Sequence, residues 1–177
     1  MNRALAIDPL SRMLTEDLSM IQWKQRRYDV ALKGLDRVHD LDPDYLWLDV
    51  SRGVIYESQK DWTRAEAAFQ RARQRMQDAP PAVALAAQAA ALAGDTAAAR
   101  RDLAALREAA RKMYVADYIV GIVEFALGDK EQGRASLKKS IDAHCGLLLW
   151  MKTAPVFDQI AGDVKGAELI REIGGPI

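Results

Sequence analysis

The sequence is poor in the residues from which metal and redox sites are built. It contains one cysteine, Cys145, and two histidines, His39 and His144. A single cysteine excludes an internal disulfide framework and fits a reducing compartment. Because a zinc site needs more ligands than the adjacent His144 and Cys145 supply, we expect a helix end with an incidental thiol and no bound metal.

The motifs of common enzyme classes are also missing. The chain has neither a glycine loop that cradles phosphate nor a nucleophile elbow. Carboxylate pairs such as Asp40 and Asp42 belong at a helix end, where they cap backbone groups or are solvated. We therefore expect a protein that is not an enzyme and that uses no cofactor.

Net charge and long apolar runs are absent as well. The 25 basic residues balance the 25 acidic ones, so no overall field attracts nucleic acid or an anionic membrane. Arginines between positions 71 and 111 are expected on a solvated face, paired with nearby carboxylates. The longest weakly charged stretch, residues 79–94, is too short to span a bilayer. The composition indicates a soluble, cytoplasmic protein with no nucleic acid or membrane as partner.

What the sequence does contain is a repeat of 34 residues. Two small residues and one large apolar residue recur at fixed positions in each repeat. Small residues let two helices approach closely, and a large apolar residue one turn later fills the groove between them. The pattern predicts a series of antiparallel helix pairs. The three sets are Ser19, Gly53, Ala87 and Gly121; Ala31, Ala65, Ala99 and Gly133; and Leu35, Phe69, Leu103 and Leu137.

Turn residues divide each repeat into two helices. Gly94-Asp95 and Gly128-Asp129 predict a left-handed end to the first helix and an aspartate cap on the second, and Lys60-Asp61 takes the same place one repeat earlier. The first repeat has Arg26-Arg27 there, so we expect its turn to be less sharply specified.

Proline marks the boundary between repeats. Leu41-Asp42-Pro43 follows Ile7-Asp8-Pro9 by 34 residues, and proline fits the first turn of a helix but not its interior. The fold class is therefore all-α. Helices are predicted at about residues 11–25, 28–40, 44–59, 62–77, 81–93, 96–111, 114–127 and 130–144.

The length fits one domain with irregular ends. Residues 1–10 are predicted to form a remnant or capping helix, which is either a natural cap or a sign that the chain is a segment of a longer protein. Residues 146–177 are predicted to form a C-terminal capping segment with a helix from Asp163 to Ile173. The repeats between them span residues 12–45, 46–79, 80–113 and 114–145.

These repeats resemble the tetratricopeptide repeat family. The second unit carries the resemblance best, through Gly53, Tyr56, Trp62, Ala65, Phe69 and Ala72. The resemblance implies a right-handed α-α superhelix, or solenoid, of four hairpins with a helical C-terminal cap. It also implies a concave groove lined by the first helix of each pair. The C-terminal segment is similar to the one that closes such repeats in bacterial multidomain regulators.

The family's groove positions fall on mostly apolar residues of this chain, which suits an apolar peptide or an amphipathic helix. The family's clamp for acidic C-terminal peptides needs Lys, Asn and Arg where this chain has Glu16, Met20, Ser51, Pro81 and Leu85, so that ligand is not expected. The predicted partner-binding residues are Met13, Glu16, Met20, Trp23, Lys24, Trp47, Val50, Val54, Glu57, Gln88, Tyr118, Ile122 and Phe125.

Other uses of these residues remain open at this stage. Trp23 and Trp47 can pack against neighbouring helices, residues 147–157 can fold back into the groove, or a homodimer can bury it. The predicted function is a non-catalytic protein–protein interaction module of a bacterial signalling or regulatory protein. The alternative is a ligand-sensing or autoinhibitory domain of a transcription regulator, adenylate cyclase or kinase.

Overall fold

The computed structural model describes the backbone of residues 2–150 and 152–173, where every regular element is a helix. The chain divides into two compact units, Met1–Met76 and Gln77–Ile177. The division falls where Gln77 and Asp78 both adopt left-handed backbone angles, with φ of 50° and 55°. Two such residues in succession cannot continue a right-handed helix.

The first unit consists of a short helix followed by two helix pairs. The pairs are α2 with α3 and α4 with α5, and α3 also packs against α4. Trp23, Leu35 and Phe69 are completely or almost completely buried in its core. The five helices are α1 (Asn2–Ile7), α2 (Arg12–Lys24), α3 (Tyr28–Leu41), α4 (Leu48–Ser58) and α5 (Trp62–Arg75).

The second unit has two further pairs and a C-terminal segment. Helix α6 packs against α7 and α8, α8 against α9, and α11 against α9 and α10. Ion pairs join the C-terminal segment to α9: Arg134 to Asp163 at 2.8 Å and Lys138 to Glu172 at 3.1 Å. The elements are α6 (Pro80–Ala93), α7 (Thr96–Ala109), α8 (Asp117–Ala126), α9 (Lys130–Asp142), 3-10 helices at Gly146–Trp150 and Pro155–Phe157, α10 (Asp158–Ala161) and α11 (Val164–Glu172).

The 34-residue period recurs in the hydrogen bonds that end the first helix of each pair. In each of these bonds the N–H donor is the residue directly after the turn. The residue before that donor has a positive φ, as a left-handed helix end requires. Arg26 adopts this conformation with φ of 61°, so the first repeat has the same backbone turn as the others, although Arg27 provides no side-chain cap to α3. The N–H groups of Arg27, Asp61, Asp95 and Asp129 donate to the carbonyl oxygens of Gln22, Tyr56, Ala90 and Glu124, each over 2.9 Å.

Aspartate caps follow at two of the three predicted positions. Asp61 accepts from the N–H of Arg64 over 3.0 Å, and Asp95 accepts from the N–H of Ala98 over 2.9 Å. Asp129 makes no side-chain cap and instead pairs with Arg100 at 2.9 Å.

The small residues of the repeat permit the predicted close approach of paired helices. A Cβ atom on Gly53 would lie 2.4 Å from the Phe69 ring. A Cβ atom on Gly121 would lie 3.1 Å from the carbonyl oxygen of Gly133. In these two pairs the first helix therefore meets its partner at a point that leaves almost no room for a larger side chain.

Two helices begin later than the pattern predicts. Helix α8 begins at Asp117 instead of residue 114, after Ala116 in an extended conformation. Helix α4 begins at Leu48 instead of residue 44, because Asp42 organises a turn before it. The Asp42 carboxylate accepts the N–H of Asp44 over 3.1 Å, and the Asp42 carbonyl accepts the N–H of Tyr45 over 3.2 Å.

Candidate functional site

The predicted groove residues separate by their position in the repeat. One position, in the middle of the first helix, is buried in all four repeats and no more than 8% exposed. A side chain in the interior packs against its own unit and presents no surface to a ligand. This position is occupied by Met20, Val54, Gln88 and Ile122.

The position three residues later is buried as well. Trp23 is 1% exposed, Glu57 4% and Phe125 6%. The indole N–H of Trp23 donates to Ser58 Oγ over 2.7 Å, which ties α2 to α4 inside the first unit. The possibility that Trp23 packs against neighbouring helices is therefore the one that the structure supports.

Burial also changes the chemistry of two glutamates among these residues. Desolvation raises the pKa of Glu57 to about 8, so this carboxyl is largely protonated at neutral pH. Burial likewise raises the pKa of Glu16, while the hydrogen bond from Ser51 Oγ, at 2.6 Å, opposes the rise. Both groups lie within the first unit, where the hydrogen bond between Ser51 and Glu16 joins α4 to α2.

Other predicted residues are partly buried. Lys24 and Val50 in the first unit and Tyr118 in the second have intermediate exposure. The pKa of Tyr118 is raised to about 12. Desolvation is the main cause, and the electrostatic effects of Cys145 and Tyr114 add to it. This phenol therefore stays protonated at neutral pH.

Two predicted residues stand out because they are large, apolar and exposed. Met13 is 59% exposed and Trp47 is 48% exposed. They are equivalent residues, 34 positions apart, at the start of the first helix in successive repeats. The first two repeats therefore present this position to solvent, whereas they bury the position seven residues later, Met20 and Val54.

Met13 and Trp47 line one recess of the first unit, which has a volume of about 640 Å³. Leu10 and Leu46, which are 71% and 44% exposed, add to its apolar lining. Sequence reasoning missed both leucines. The whole recess is lined by Asp8, Leu10, Ser11, Arg12, Met13, Asp42, Asp44, Tyr45, Leu46 and Trp47.

The two repeated Asp-Pro stretches build this recess. Ser11 accepts the N–H of Leu14 over 3.4 Å and caps α2, which follows the turn at Asp8. The turn at Asp42 delays the start of α4 and leaves Leu46 and Trp47 on the surface. Arg12 joins the two turns through an ion pair with Asp42 at 3.0 Å. The recurrence of Asp-Pro at positions 8–9 and 42–43 is the feature of the sequence that points to this recess.

Carboxylates surround the apolar lining. Asp8, Asp42 and Asp44 belong to the recess, and Arg12 is the one positively charged residue among the described side chains that line it. Desolvation raises the pKa of Tyr45, as do the charges of Glu16, Asp17 and Asp42, against the opposing effect of Arg12. Among the groups that act on this phenol, three are carboxylates and one is an arginine.

A second group of exposed apolar side chains lies in the second unit. Leu147 and Leu149 are 52% and 61% exposed, whereas Leu148 and Phe157 are buried. Residues 147–157 thus contribute to the core of the second unit through part of their side chains. Trp150, Met151 and Val156, which belong to the same predicted segment, have side chains outside the described residues.

Two other kinds of site are absent from the described residues. Across residues 2–150 and 152–173, no three His, Cys, Asp or Glu side chains are placed to hold a metal ion. In the same part of the chain, no helix combines the length and the apolarity that crossing a membrane requires.

The apolar recess between the two Asp-Pro turns, which we call the Asp-Pro recess, is therefore the candidate site. Comparison of the chain with protein-family models and with curated proteins gave no match.

Proposed function

We propose that this chain is a non-catalytic protein–protein interaction module of four tetratricopeptide-type hairpins, stacked as a right-handed superhelix. The repetition of one turn hydrogen bond at residues 27, 61, 95 and 129 supports a common hairpin geometry in all four repeats. The paired helices and the small residues between them support the same architecture.

The observation that carries the proposed function is the exposure of Met13 and Trp47 at equivalent positions of successive repeats. Large apolar side chains that group on a surface mark sites of protein interaction. Tryptophan is enriched among residues that dominate binding energy, and methionine adapts its shape to a ligand. The module thus binds an apolar segment or one face of an amphipathic helix.

The binding surface in this proposal is narrower than the family groove. Met20, Trp23 and Val54 lie in the interior of the first unit, and Ile122 and Phe125 lie in the interior of the second, because none of them has more than 8% of its surface exposed. A module of this kind suits a bacterial signalling or regulatory protein of the cytoplasm, and its single cysteine fits a reducing compartment.

Selection from a random peptide library displayed on phage tests this function. We expect peptides selected against the full chain to share a large apolar residue and to lose binding to the Met13→Ser/Trp47→Ser variant. Leu149→Ser/Val164→Ser is the matched control, because it removes two apolar side chains that are 61% and 75% exposed in the second unit. Peptides that bind both variants equally, or a selection that yields no binder, would contradict the proposal.

A further inference from the structure

We infer that the Asp-Pro recess takes an apolar side chain that a partner segment presents next to lysine or arginine. The inference rests on the proposed function and names the chemistry of the partner. It follows from the arrangement of charge around the apolar lining, which is acidic although the chain as a whole is neutral.

The first step of the argument is the lining itself. Leu10, Met13, Leu46 and Trp47 give the recess its apolar part, and all four are exposed. Its volume of about 640 Å³ falls within the range of about 300–1,000 Å³ for ligand pockets in proteins, so it is large enough to take an apolar side chain. Because the recess is open to solvent, the occupying side chain remains attached to a segment that runs along the surface.

The second step is the position of the carboxylates. Asp44 has an almost fully exposed side chain, at 96%, and its ion pair with Arg75 spans 3.3 Å. An ion pair this exposed is screened by water and leaves the carboxylate available to a second cation. Asp8 is exposed on the other Asp-Pro turn, so carboxylates stand on both turns that form the recess.

The third step is the balance of the nearby cations. Arg12 is engaged by Asp42 at 3.0 Å. Arg37 donates to the carbonyl oxygen of Pro9 over 2.6 Å and does not line the recess. Asp17, which is exposed on α2, adds another negative charge close enough to act on Tyr45. A basic partner segment is therefore attracted to the rim, whereas an acidic one is repelled.

A charge series of synthetic peptides tests the inference. Each peptide carries the same pattern of leucines on one helical face, and the intervening positions are all lysine, all glutamine or all glutamate. We expect the lysine peptide to bind the full chain about fivefold more tightly than the glutamine peptide at low salt, since exposed ion pairs each contribute little. The glutamate peptide should bind most weakly, and the difference should shrink as salt is added.

The variant Asp8→Asn/Asp44→Asn should bind the lysine and glutamine peptides with equal affinity. Asp42 is left intact because it shapes the turn before α4. Asp29→Asn/Asp117→Asn is the matched control, since it removes two exposed carboxylates elsewhere and should retain the preference. Circular dichroism of each variant establishes that the helices are intact.

The possible failures are distinguishable. If all three peptides bind equally and Met13→Ser/Trp47→Ser abolishes binding, the charge preference is wrong and the proposed function stands. If no peptide binds, both fail. If sedimentation shows a dimer that Met13→Ser/Trp47→Ser dissociates, the occupant is a second copy of the chain and the inference is overturned.

Discussion

The indole N–H of Trp23 donates to Ser58 Oγ over 2.7 Å, although the two residues are 35 positions apart in the chain. Trp23 is 1% exposed, whereas Trp47 is 48% exposed. Two tryptophans that the repeat pattern assigns to one groove therefore have different roles. Trp23 holds α2 against α4, and Trp47 contributes to the surface.

Substitution of Trp23 should therefore lower the stability of the protein much more than substitution of Trp47. Trp23→Ala leaves a cavity and should lower the free energy of unfolding by about 3–5 kcal/mol. Trp47→Ala removes an exposed side chain and should change it by about 0.5 kcal/mol or less. Urea denaturation followed by circular dichroism measures both. Equal effects of the two substitutions would show that the assignment of interior and surface is wrong.

The contact between Gly53 and Phe69 gives a second prediction. Alanine is a better helix former than glycine, so propensity alone would make Gly53→Ala stabilising by up to about 1 kcal/mol. The added Cβ would lie 2.4 Å from the ring of Phe69, which is completely buried. Overpacking should dominate and destabilise the protein by about 1–3 kcal/mol.

Gly146→Ala is the control for this substitution. A Cβ atom there meets nothing within 4 Å, so stability should stay nearly constant. Thermal unfolding of both variants gives the comparison. A Gly53→Ala protein as stable as the original would mean that α4 and α5 do not approach as closely as described.

Left-handed residues at the helix ends give a third prediction. Gly94 has φ of 97°, and Gly94→Ala should cost about 1 kcal/mol or more because a side chain disfavours this conformation. Lys60 has φ of 60° at the equivalent turn, so Lys60→Gly should be stabilising or neutral. We expect Gly94→Ala to lower the melting temperature, and Lys60→Gly to raise it or leave it unchanged. A loss of stability in both would argue against the shared turn.

The pKa of Glu57 makes stability depend on pH. Burial raises this pKa from the usual 4.5 to about 8, so the folded state holds a proton that the unfolded state releases. The contribution of Glu57 to the free energy of unfolding is fully present below pH about 4.5. It is lost as the pH rises toward about 8.

The variant Glu57→Gln should flatten this part of the pH profile. The substitution keeps the size of the side chain and removes its titration. Urea midpoints measured between pH about 5 and 9 test the point, since this range spans most of the change. An unaltered slope in the variant would assign the pH dependence to other groups.

Much of the fold was predictable from local chemistry. Gly94-Asp95 and Gly128-Asp129 specify helix ends directly, and small residues such as Ala65 specify where helices meet. The prediction of an all-α chain is confirmed for the described residues, as are the approximate positions of its eight main helices. The start of α4 was placed too early because the hydrogen bond from Asp44 to Asp42 is a competing local structure.

The candidate site was less predictable because exposure depends on packing across helices. Met13 and Met20 lie on the same helix and are equally apolar, yet one is 59% exposed and the other 8%. No property of the isolated helix distinguishes them. Leu10 and Leu46 precede their helices, so a pattern based on helix positions could not include them.

The most direct test of the interaction module is to map where an apolar peptide binds. Backbone amide chemical shifts of the full chain should be recorded by NMR as the leucine-lysine peptide is added. We expect the largest changes at residues 10–13 and 44–47, and none of comparable size in α7 (Thr96–Ala109). Changes centred on Leu147 and Leu149, or no change at saturating peptide, would contradict the assignment of the Asp-Pro recess as the binding site.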